Sequence, residues 1–530
     1  MEKDNIEWLN SYLTVQDGII LRDNFKIEDN KIRGSVSLNA SPKELLSFKV
    51  EIPLSYPLIE EGKKCCRFLI ENKVSCKHIN EDRTICLVIP TCFDFKKRFE
   101  LEIAALKEWR DKYYVAELED DRYDYPIVPN QNMITFLFSN TTHKFVKGDN
   151  GTIKGRLIAK YSVEVEIATW LVTQFDNIKC EWKESKKDEI LGLYYFIGVE
   201  PSAKKGILHS SWRDLDSYLR NTFKEKLLNN LSQSKTNLNY LFLGFKINET
   251  EEIHWLALRI QGIGMFIETK QYERNVFLYN FLDVPIIWCK TQNANYDRYF
   301  GRGAISENLK NKKILIIGIG AIGSSLARIL VRTGVLDLSL SDYDIVEAGN
   351  ICRGEFNLLD IGLPKVFTVR GELEAISPFV SISGILFDKL KQLNDADIND
   401  NRKKLNQFDI IFNCTADDES IYAIDKIRPR GVVINLSITN KAQQLMCFTG
   451  NNIMEQVLMF NPNVDKENVK YYEGTGCWNW TFQAAYFDIN AMIHLAIKNI
   501  NNRFFESKSL KSFVVKYITD DYENLVINGI

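Results

Sequence analysis

The chain has 530 residues, enough for three or four domains at roughly 150 residues each. Lysine plus arginine number 67 against 70 aspartate plus glutamate, a formal net charge of −3, so there is no surplus of positive charge to neutralise nucleic-acid phosphates, and no direct nucleic-acid binding is expected. Hydrophobic residues at 45% and charged residues at 26% exclude disorder over most of the length, and no stretch of about 18 apolar residues is free of charge, so no membrane span is expected. The first ten residues lack a basic start followed by an apolar core, which predicts no secretory leader. Eleven cysteines, an odd number, are then expected to be reduced in a cytoplasmic protein, with one or two of them reactive. No Cys-x-x-Cys and no His-Glu-x-x-His occurs, which argues against a structural zinc site.

In chain order, Lys31–Asn39 and Phe48–Ile52 alternate as half-buried strands do, and Pro53 and Pro57 bracket a turn. Phe95–Leu118 has no proline or glycine and places Phe99, Ile103, Leu106, Trp109 and Tyr113 near helical spacing, which predicts one amphipathic helix. The stretch 127–290 leans towards β structure at Ser162–Leu171, Gly192–Val199 and Leu238–Phe245, with a helix expected over Trp212–Leu231; it predicts a mixed α+β connecting domain without a chemical motif. From 291 to 530 the pattern is α/β. Ile314–Ile317 is a continuous apolar run, as buried parallel strands require. Gly323–Thr333 and Pro364–Ile376 are expected helices, Asp337–Ser341, Phe408–Asn413 and Gly431–Leu436 expected strands, and the charged segment Lys389–Lys404 an expected surface loop.

The strand at Ile314–Ile317 runs into Gly318-Ile319-Gly320-Ala321-Ile322-Gly323 and then a helix. Glycine is needed where backbone must approach a phosphate closely, and a helix start offers free N–H groups and the positive end of a dipole. Asp342, at the end of the next strand, is placed to accept hydrogen bonds from ribose hydroxyls. Alone, this motif permits NAD, FAD, S-adenosylmethionine or ATP. The residues that follow narrow it. Asn350, Arg353 and Lys365 supply amide and cationic groups just past the ribose carboxylate, as nucleotidyl transfer requires where charge builds on the α-phosphate and pyrophosphate.

Over roughly 293–500 the segment resembles the ThiF/MoeB/ubiquitin-activating superfamily, which adenylates the C-terminal carboxylate of a ubiquitin-like protein. The resemblance implies ATP and Mg2+ as cofactors. It implies nucleotide-loop roles for Gly318, Gly320 and Gly323, a ribose role for Asp342, and phosphate contacts for Asn350, Arg353 and Lys365. Tyr296-Asp297-Arg298 matches the family's Tyr-x-Arg, whose arginine reaches the partner subunit's ATP site, and so implies a homodimer. Asn413-Cys414-Thr415-Ala416-Asp417 resembles the magnesium-holding Asp-x-Thr-Asp segment, but Ala416 falls where the carboxylate belongs, leaving Asp417 or Asp418 for the metal.

Two cysteines have informative neighbours. Cys86 lies in Ile85-Cys86-Leu87, after Pro53-Leu54-Ser55-Tyr56-Pro57 and before the Trp109-bearing helix. That order resembles the ubiquitin-conjugating fold over about 20–120. Cys76-Lys77-His78 replaces its His-Pro-Asn, so His78, or Asn80 two residues on, takes the place of the asparagine that supports the oxyanion. Cys477, in Gly476-Cys477-Trp478-Asn479-Trp480-Thr481-Phe482, resembles the Gly-Cys-x-x-Pro-Thr-Phe segment of bacterial activating domains fused to conjugating domains, with Trp480 replacing the proline. Cys414 and Cys447 are expected to pack, at least one of Cys65 and Cys66, beside Phe68, is expected to face the core, and Cys352 has no required role.

The fold class expected is multidomain α/β and α+β. It comprises a ubiquitin-conjugating-like α+β domain (1–126), a mixed α+β connecting domain (127–290) and a Rossmann-like, ThiF/MoeB-type adenylation domain (291–530). This order is similar to the activating–conjugating fusion proteins of antiphage CBASS operons. The resemblance implies adenylation of a protein C-terminus, a thioester on Cys477, its transfer to Cys86, and ligation to a target amine. The implied protein substrate is a cGAS/DncV-like nucleotidyltransferase. A small bacterial ubiquitin-like protein as substrate, a sulfur-carrier adenylyltransferase and a non-catalytic nucleotide-binding scaffold are the alternatives.

Overall fold

A computed structural model describes residues 2–42, 44–58, 66–72, 74, 76, 78–80, 82–118, 133–162, 166–182, 188–204, 207–208, 211–232, 239–247, 252–260, 285–387, 390–439, 442–460, 472–473, 480–481, 484–518 and 524–530. The chain separates into two compact units, Met1–Cys180 with Lys186–Asn293, and Glu181–Ser185 with Ala294–Ile530. No helix of the described residues is long and apolar enough to cross a membrane.

The first unit opens with an antiparallel sheet of four strands in sequence order, Ile19–Glu28, Lys31–Ser41, Glu44–Pro53 and Arg67–Ile70. Alternation puts Val36, Leu38, Phe48, Val50 and Ile52 on the buried face, where they meet Leu9 and Leu13 of the helix Glu2–Thr14 and Phe99, Ile103, Leu106 and Trp109 of a second helix. That second helix departs from the single element expected over Phe95–Leu118. Asp94 caps it through Lys97 N–H at 2.8 Å, it is α-helical over Phe95–Trp109, and it widens into a π-helical turn over Arg110–Val115. The widened turn lets both tyrosines find ring partners: Tyr114 lies 6.4 Å from Trp109 and Tyr113 lies 4.3 Å from His78, centroid to centroid.

The remainder of the first unit is more regular than its sequence suggests. Seven strands form a closed sheet: Met133–Phe138, Ile287–Asn293, Ile253–Arg259, Tyr240–Lys246, Glu189–Gly198, Asn150–Ser162 and Glu166–Phe175 pair in that order, and the last pairs back to the first. Phe136, Phe242, Trp255, Phe175 and Phe145 pack edge to face or stacked within it. The β-leaning run Ser162–Leu171 is strand at Ser162 and over Glu166–Leu171, with Ser162 opposite Glu166. One expectation is corrected here. The helix expected over Trp212–Leu231 is broken into Trp212–Leu215, a 3-10 turn at Asp216–Tyr218, and Asn221–Ser232, because Arg220 N–H turns out to the Tyr195 hydroxyl at 3.3 Å.

The second unit is a doubly wound α/β domain. Its sheet runs Ser381–Gly384, Asp337–Ser341, Lys313–Ile317, Ile410–Asn413, Val432–Ile438, Gln444–Thr449, Phe513–Tyr517 and Leu525–Gly529; the first five strands are parallel and the last three antiparallel. Chain order reverses on either side of Lys313–Ile317, so the crevice beyond the carboxyl ends of Lys313–Ile317 and Ile410–Asn413 is where such sheets bind ligands. The helices Ala321–Arg332 and Tyr486–Phe505 bury Leu326, Leu330, Ile493 and Ala496 against one face. The segment Lys389–Lys404 is not a loop throughout. Asp395–Leu405 is a helix, capped by Asn394 onto Asp397 N–H at 3.0 Å, with Asp395 and Asp397 in its first turn and Arg402, Lys403 and Lys404 in its last. Its charges complement the helix dipole, while only Asn401 and Leu405 are buried, which is why apolar periodicity missed it.

Candidate functional site

The glycine loop is shaped by collision. Gly318 has φ +86, and a Cβ there would sit 2.8 Å from the Cys414 carbonyl carbon and the Thr415 nitrogen. A Cβ on Gly323 would sit 1.9 Å from the Gly318 oxygen, whereas one on Gly320 would meet nothing within 4 Å. Two glycines are therefore demanded by the packing of the turn. The third opens space above the start of Ala321–Arg332, a twelve-residue helix whose N-cap, Gly320, has no side-chain hydrogen bond. Free N–H groups at an uncrowded helix start fit a phosphate, so the cradle suits the nucleotide expected there.

Asp342 follows the strand Asp337–Ser341 and is locked to this loop. Its Oδ2 accepts the Ile319 N–H at 2.6 Å and its Oδ1 the Asp344 N–H at 2.8 Å. Each oxygen keeps lone-pair capacity for a ribose hydroxyl. Asp344 in turn holds Lys365: Nζ to Oδ2 is 3.0 Å, and the Lys365 N–H donates to the Asp344 oxygen at 3.0 Å. Lys365 is only 8% exposed, so its cation is held at a set position rather than left to solvent. The sequence places Asp344 in the motif but assigns it no part, although its spacing from Asp342 was a usable signal.

Asn350 closes a 3-10 turn at Ala348–Asn350 in which its Oδ1 accepts the Glu347 N–H at 3.0 Å. Its amide nitrogen makes no hydrogen bond among the described residues. Arg353 follows, half-buried, and the next residues tie the segment to the first turn of the glycine-loop helix: Glu355 N–H donates to Ser324 Oγ at 3.1 Å. Glu355 is a hub that sequence gave no reason to select. Its carboxylate accepts from Arg328 at 2.7 Å, Ser325 at 3.4 Å and the Tyr486 hydroxyl at 2.5 Å.

The strand Ile410–Asn413 brings the remaining segment beside Gly318. Asn413 Nδ2 donates to Asn435 Oδ1 at 2.9 Å and its Oδ1 accepts the Thr415 hydroxyl at 2.9 Å. Cys414 is buried, and burial pushes its thiol far up, as it does that of Cys447; both pack. Ala416 has φ +54, which turns Asp417 into the N-cap of the helix Asp418–Ile427. Asp417 Oδ2 accepts from Ser420 Oγ at 2.5 Å and lies 2.7 Å from Lys391 Nζ, which also reaches Glu419 at 3.1 Å. Burial raises the Asp417 carboxyl, but the bonds from Lys391 and Ser420 outweigh it and hold its pKa below the usual value. As placed, the carboxylate is already neutralised by an ammonium; these residues do not fit an open magnesium site. Asp418 is exposed in the first helical turn.

Arg298 lies exposed on the short helix Tyr296–Phe300, its N–H accepted by the Asn295 cap at 2.9 Å. In the first unit, a hairpin holds Cys86 against His78: the Cys86 N–H donates to the His78 oxygen at 2.7 Å, and Ile79 bridges Ile85. His78 has φ +63, a region that asparagine and histidine tolerate better than most residues. Asn80 is spent on the hairpin itself, its Nδ2 donating to Thr84 Oγ1 at 2.9 Å. Cys66, Cys76, Cys180 and Cys289 are buried, whereas Cys86 and Cys92 are partly exposed. Cys65 and Cys477 lie outside the described residues; the strands Tyr472–Glu473 and Trp480–Thr481, which flank Cys477, pair antiparallel.

Residues 293–429 match the model of the ThiF family. The chain is 29% identical over 284 residues to the "ATP-dependent ubiquitin transferase-like protein Cap2" of Enterobacter hormaechei subsp. hoffmannii, a match covering 49% of this chain and 46% of that protein. It is 32% identical over 121 residues to the molybdopterin-synthase adenylyltransferase of Haemophilus influenzae, covering 23% of this chain and 47% of that one. The matches thus span less than half the length of these relatives. Among solved structures, E. coli MccB with ATP is similar at 19% identity and a TM-score of 0.30, over 50% of this chain and 72% of that one.

Proposed function

We propose that the chain is a cytoplasmic ATP-dependent enzyme that adenylates a protein C-terminus and ligates it to a target amine. The observation that carries this reading is the linked set Ile319–Asp342–Asp344–Lys365 beside the open Gly320 cradle. A ribose acceptor, a fixed cation and an uncapped helix start converge at one sheet crevice, which is what nucleotidyl transfer needs. The likeness to Cap2 and to adenylyltransferases supports it. Lys365, Arg353 and the free amide of Asn350 oppose phosphate charge, and the two oxygens of Asp342 orient the ribose. Magnesium would reach Asp417 only by displacing Lys391, and no step is assigned to it.

The acyl group passes to Cys477 as a thioester and then to Cys86, whose partial exposure and His78-bound backbone support a role as the second acceptor. His78 donates to the oxyanion when an amine attacks. In this reading 1–126 conjugates, 127–290 connects and 291–530 activates; the exposed Arg298 completes the site of a second copy in a homodimer. The protein substrate is a cGAS/DncV-like nucleotidyltransferase in antiphage defence. The test is ATP–pyrophosphate exchange with and without such a nucleotidyltransferase. Exchange that depends on its intact C-terminus supports the reading; exchange only with a small ubiquitin-like or sulfur-carrier protein moves it to those systems, and no exchange with any of them leaves a nucleotide-binding scaffold.

A further inference from the structure

The amino edge of the parallel sheet in the second unit holds a cavity of about 460 Å³, within the range of small-molecule sites. It is formed by the segment Arg428–Val433, the loop Thr449–Asn452 and the end of the helix Tyr486–Phe505 with the chain that follows it. Gly318 and Asp342 follow the carboxyl ends of their strands and Asn413 ends its own, so this cavity lies at the other end of the sheet, roughly 15–25 Å away by strand length.

Three features mark it as built for an anion. Its lining carries Arg428, Arg430 and Lys508 against one carboxylate, Asp425; Lys508 is already paired with Glu506 at 2.7 Å, which leaves the two arginines. That carboxylate is committed: its two oxygens accept the Ile453 and Met454 N–H groups at 3.1 and 2.6 Å. The side chains of Arg428 and Arg430 make no ion pair or hydrogen bond among the described residues, although each guanidinium carries five donors. Arg428 also ends the helix Asp418–Ile427 at φ +51, ψ +67. This is the left-handed position where glycine is the ordinary choice, so a bulky cation is kept there against local backbone preference. Val432, Phe504 and Leu510 add apolar surface to the lining.

We propose that this cavity binds a small organic phosphate, its dianion held by the exposed guanidinium groups of Arg428 and Arg430 and its apolar part against Phe504. Two guanidinium forks two residues apart match the tetrahedral dianion better than a single carboxylate. The site is separate from nucleotide activation and does not depend on that reading.

Phenyl phosphate carries both required parts and is the probe, titrated by calorimetry into the full chain. Saturable binding is expected, weakened at least tenfold by Arg428→Gln together with Arg430→Gln and unchanged by Lys365→Ala, with phenol showing none. Arg428→Gly is the second variant: it should weaken binding while its thermal midpoint stays at or above that of the wild type, because the left-handed position is relieved. The proposal is overturned if the double variant binds as the wild type does, or if only Lys365→Ala abolishes binding, which would place the probe in the nucleotide site. It is equally overturned if an acidic peptide binds through the two arginines and phenyl phosphate does not, or if Arg428→Gly destabilises the fold and leaves binding intact.

Discussion

The glycine loop of the second unit and the Cys86 hairpin of the first hold their chemistry in place by different means. Around Gly318 and Gly323 the backbone is placed by what would collide with it: a side chain at either position would enter space held by other main-chain atoms. Around Cys86 the backbone is placed by hydrogen bonds. Cys86 N–H reaches His78 at 2.7 Å, Asn80 N–H reaches Thr84 at 2.8 Å, and Asp82 Oδ1 accepts the Thr84 N–H and hydroxyl at 3.0 and 2.5 Å. A steric site fails abruptly, since main-chain atoms cannot move aside without disturbing the sheet. A hydrogen-bonded loop degrades by steps of about 1 kcal/mol per bond.

The sharpest break of that contrast is at the glycines. Gly323→Ala and Gly318→Ala should each lower stability by about 3 kcal/mol or more, or prevent folding, as measured by chemical denaturation. Gly320→Ala should stay within about 1 kcal/mol of the wild type, since its methyl meets nothing, yet lose ATP affinity because it fills the cradle. Equal destabilisation at all three positions would remove the distinction between packing glycines and a ligand glycine.

Within the same site, Lys365→Ala should slow adenylate formation by about a hundredfold or more in the pyrophosphate exchange assay, with little change in stability. Its partner Asp344 has a side chain 51% exposed and regains water when the lysine is gone. A variant that exchanges at the wild-type rate would show that the cation serves folding instead.

The hairpin should respond more gently. Thr84→Val removes the hydroxyl contacts to Asp82 and Asn80 and should cost about 1–2 kcal/mol while the fold persists. Cys86→Ser should leave adenylation untouched and stop the amide product. If Cys86→Ser still gave product, this thiol would have no part in transfer.

The smallest expected effect is at Asp417. Its pKa is held below the unfolded value, so its ion pair with Lys391 stabilises the fold above the unfolded pKa, and that contribution is lost as pH falls through the folded one. Stability measured downward from about pH 5 should therefore fall less steeply in Asp417→Asn than in the wild type. The difference should be small, because both side chains are about a third or more exposed. Identical slopes would mean that the pair contributes nothing.

Much of the glycine-loop crevice could be read before any fold was known, because its causes are local. The apolar run Ile314–Ile317, the glycine spacing and an acid after the next strand follow from what a buried parallel strand, a tight turn and a helix start each require. Strand alternation at Lys31–Asn39 and Phe48–Ile52 was legible for the same reason, since one buried face imposes a period of two. What escaped depended on partners distant in the chain. The closed sheet of the connecting region exists because Met133–Phe138 pairs with strands that follow it by tens of residues. The helix Asp395–Leu405 carried its capping residues in plain view, but its apolar contacts are too few to show a period. Lys391 meets Asp417, and His78 meets both Cys86 and Tyr113, only once the sheets have brought their loops together. Sequence alone determined which backbone must be glycine and which segments must be buried, because sterics and burial act within a few residues. Tertiary structure decided which carboxylate was already paired, which histidine face was used and where two arginines stood without partners among the described residues, because charge and hydrogen bonding are settled by whatever chain arrives from elsewhere.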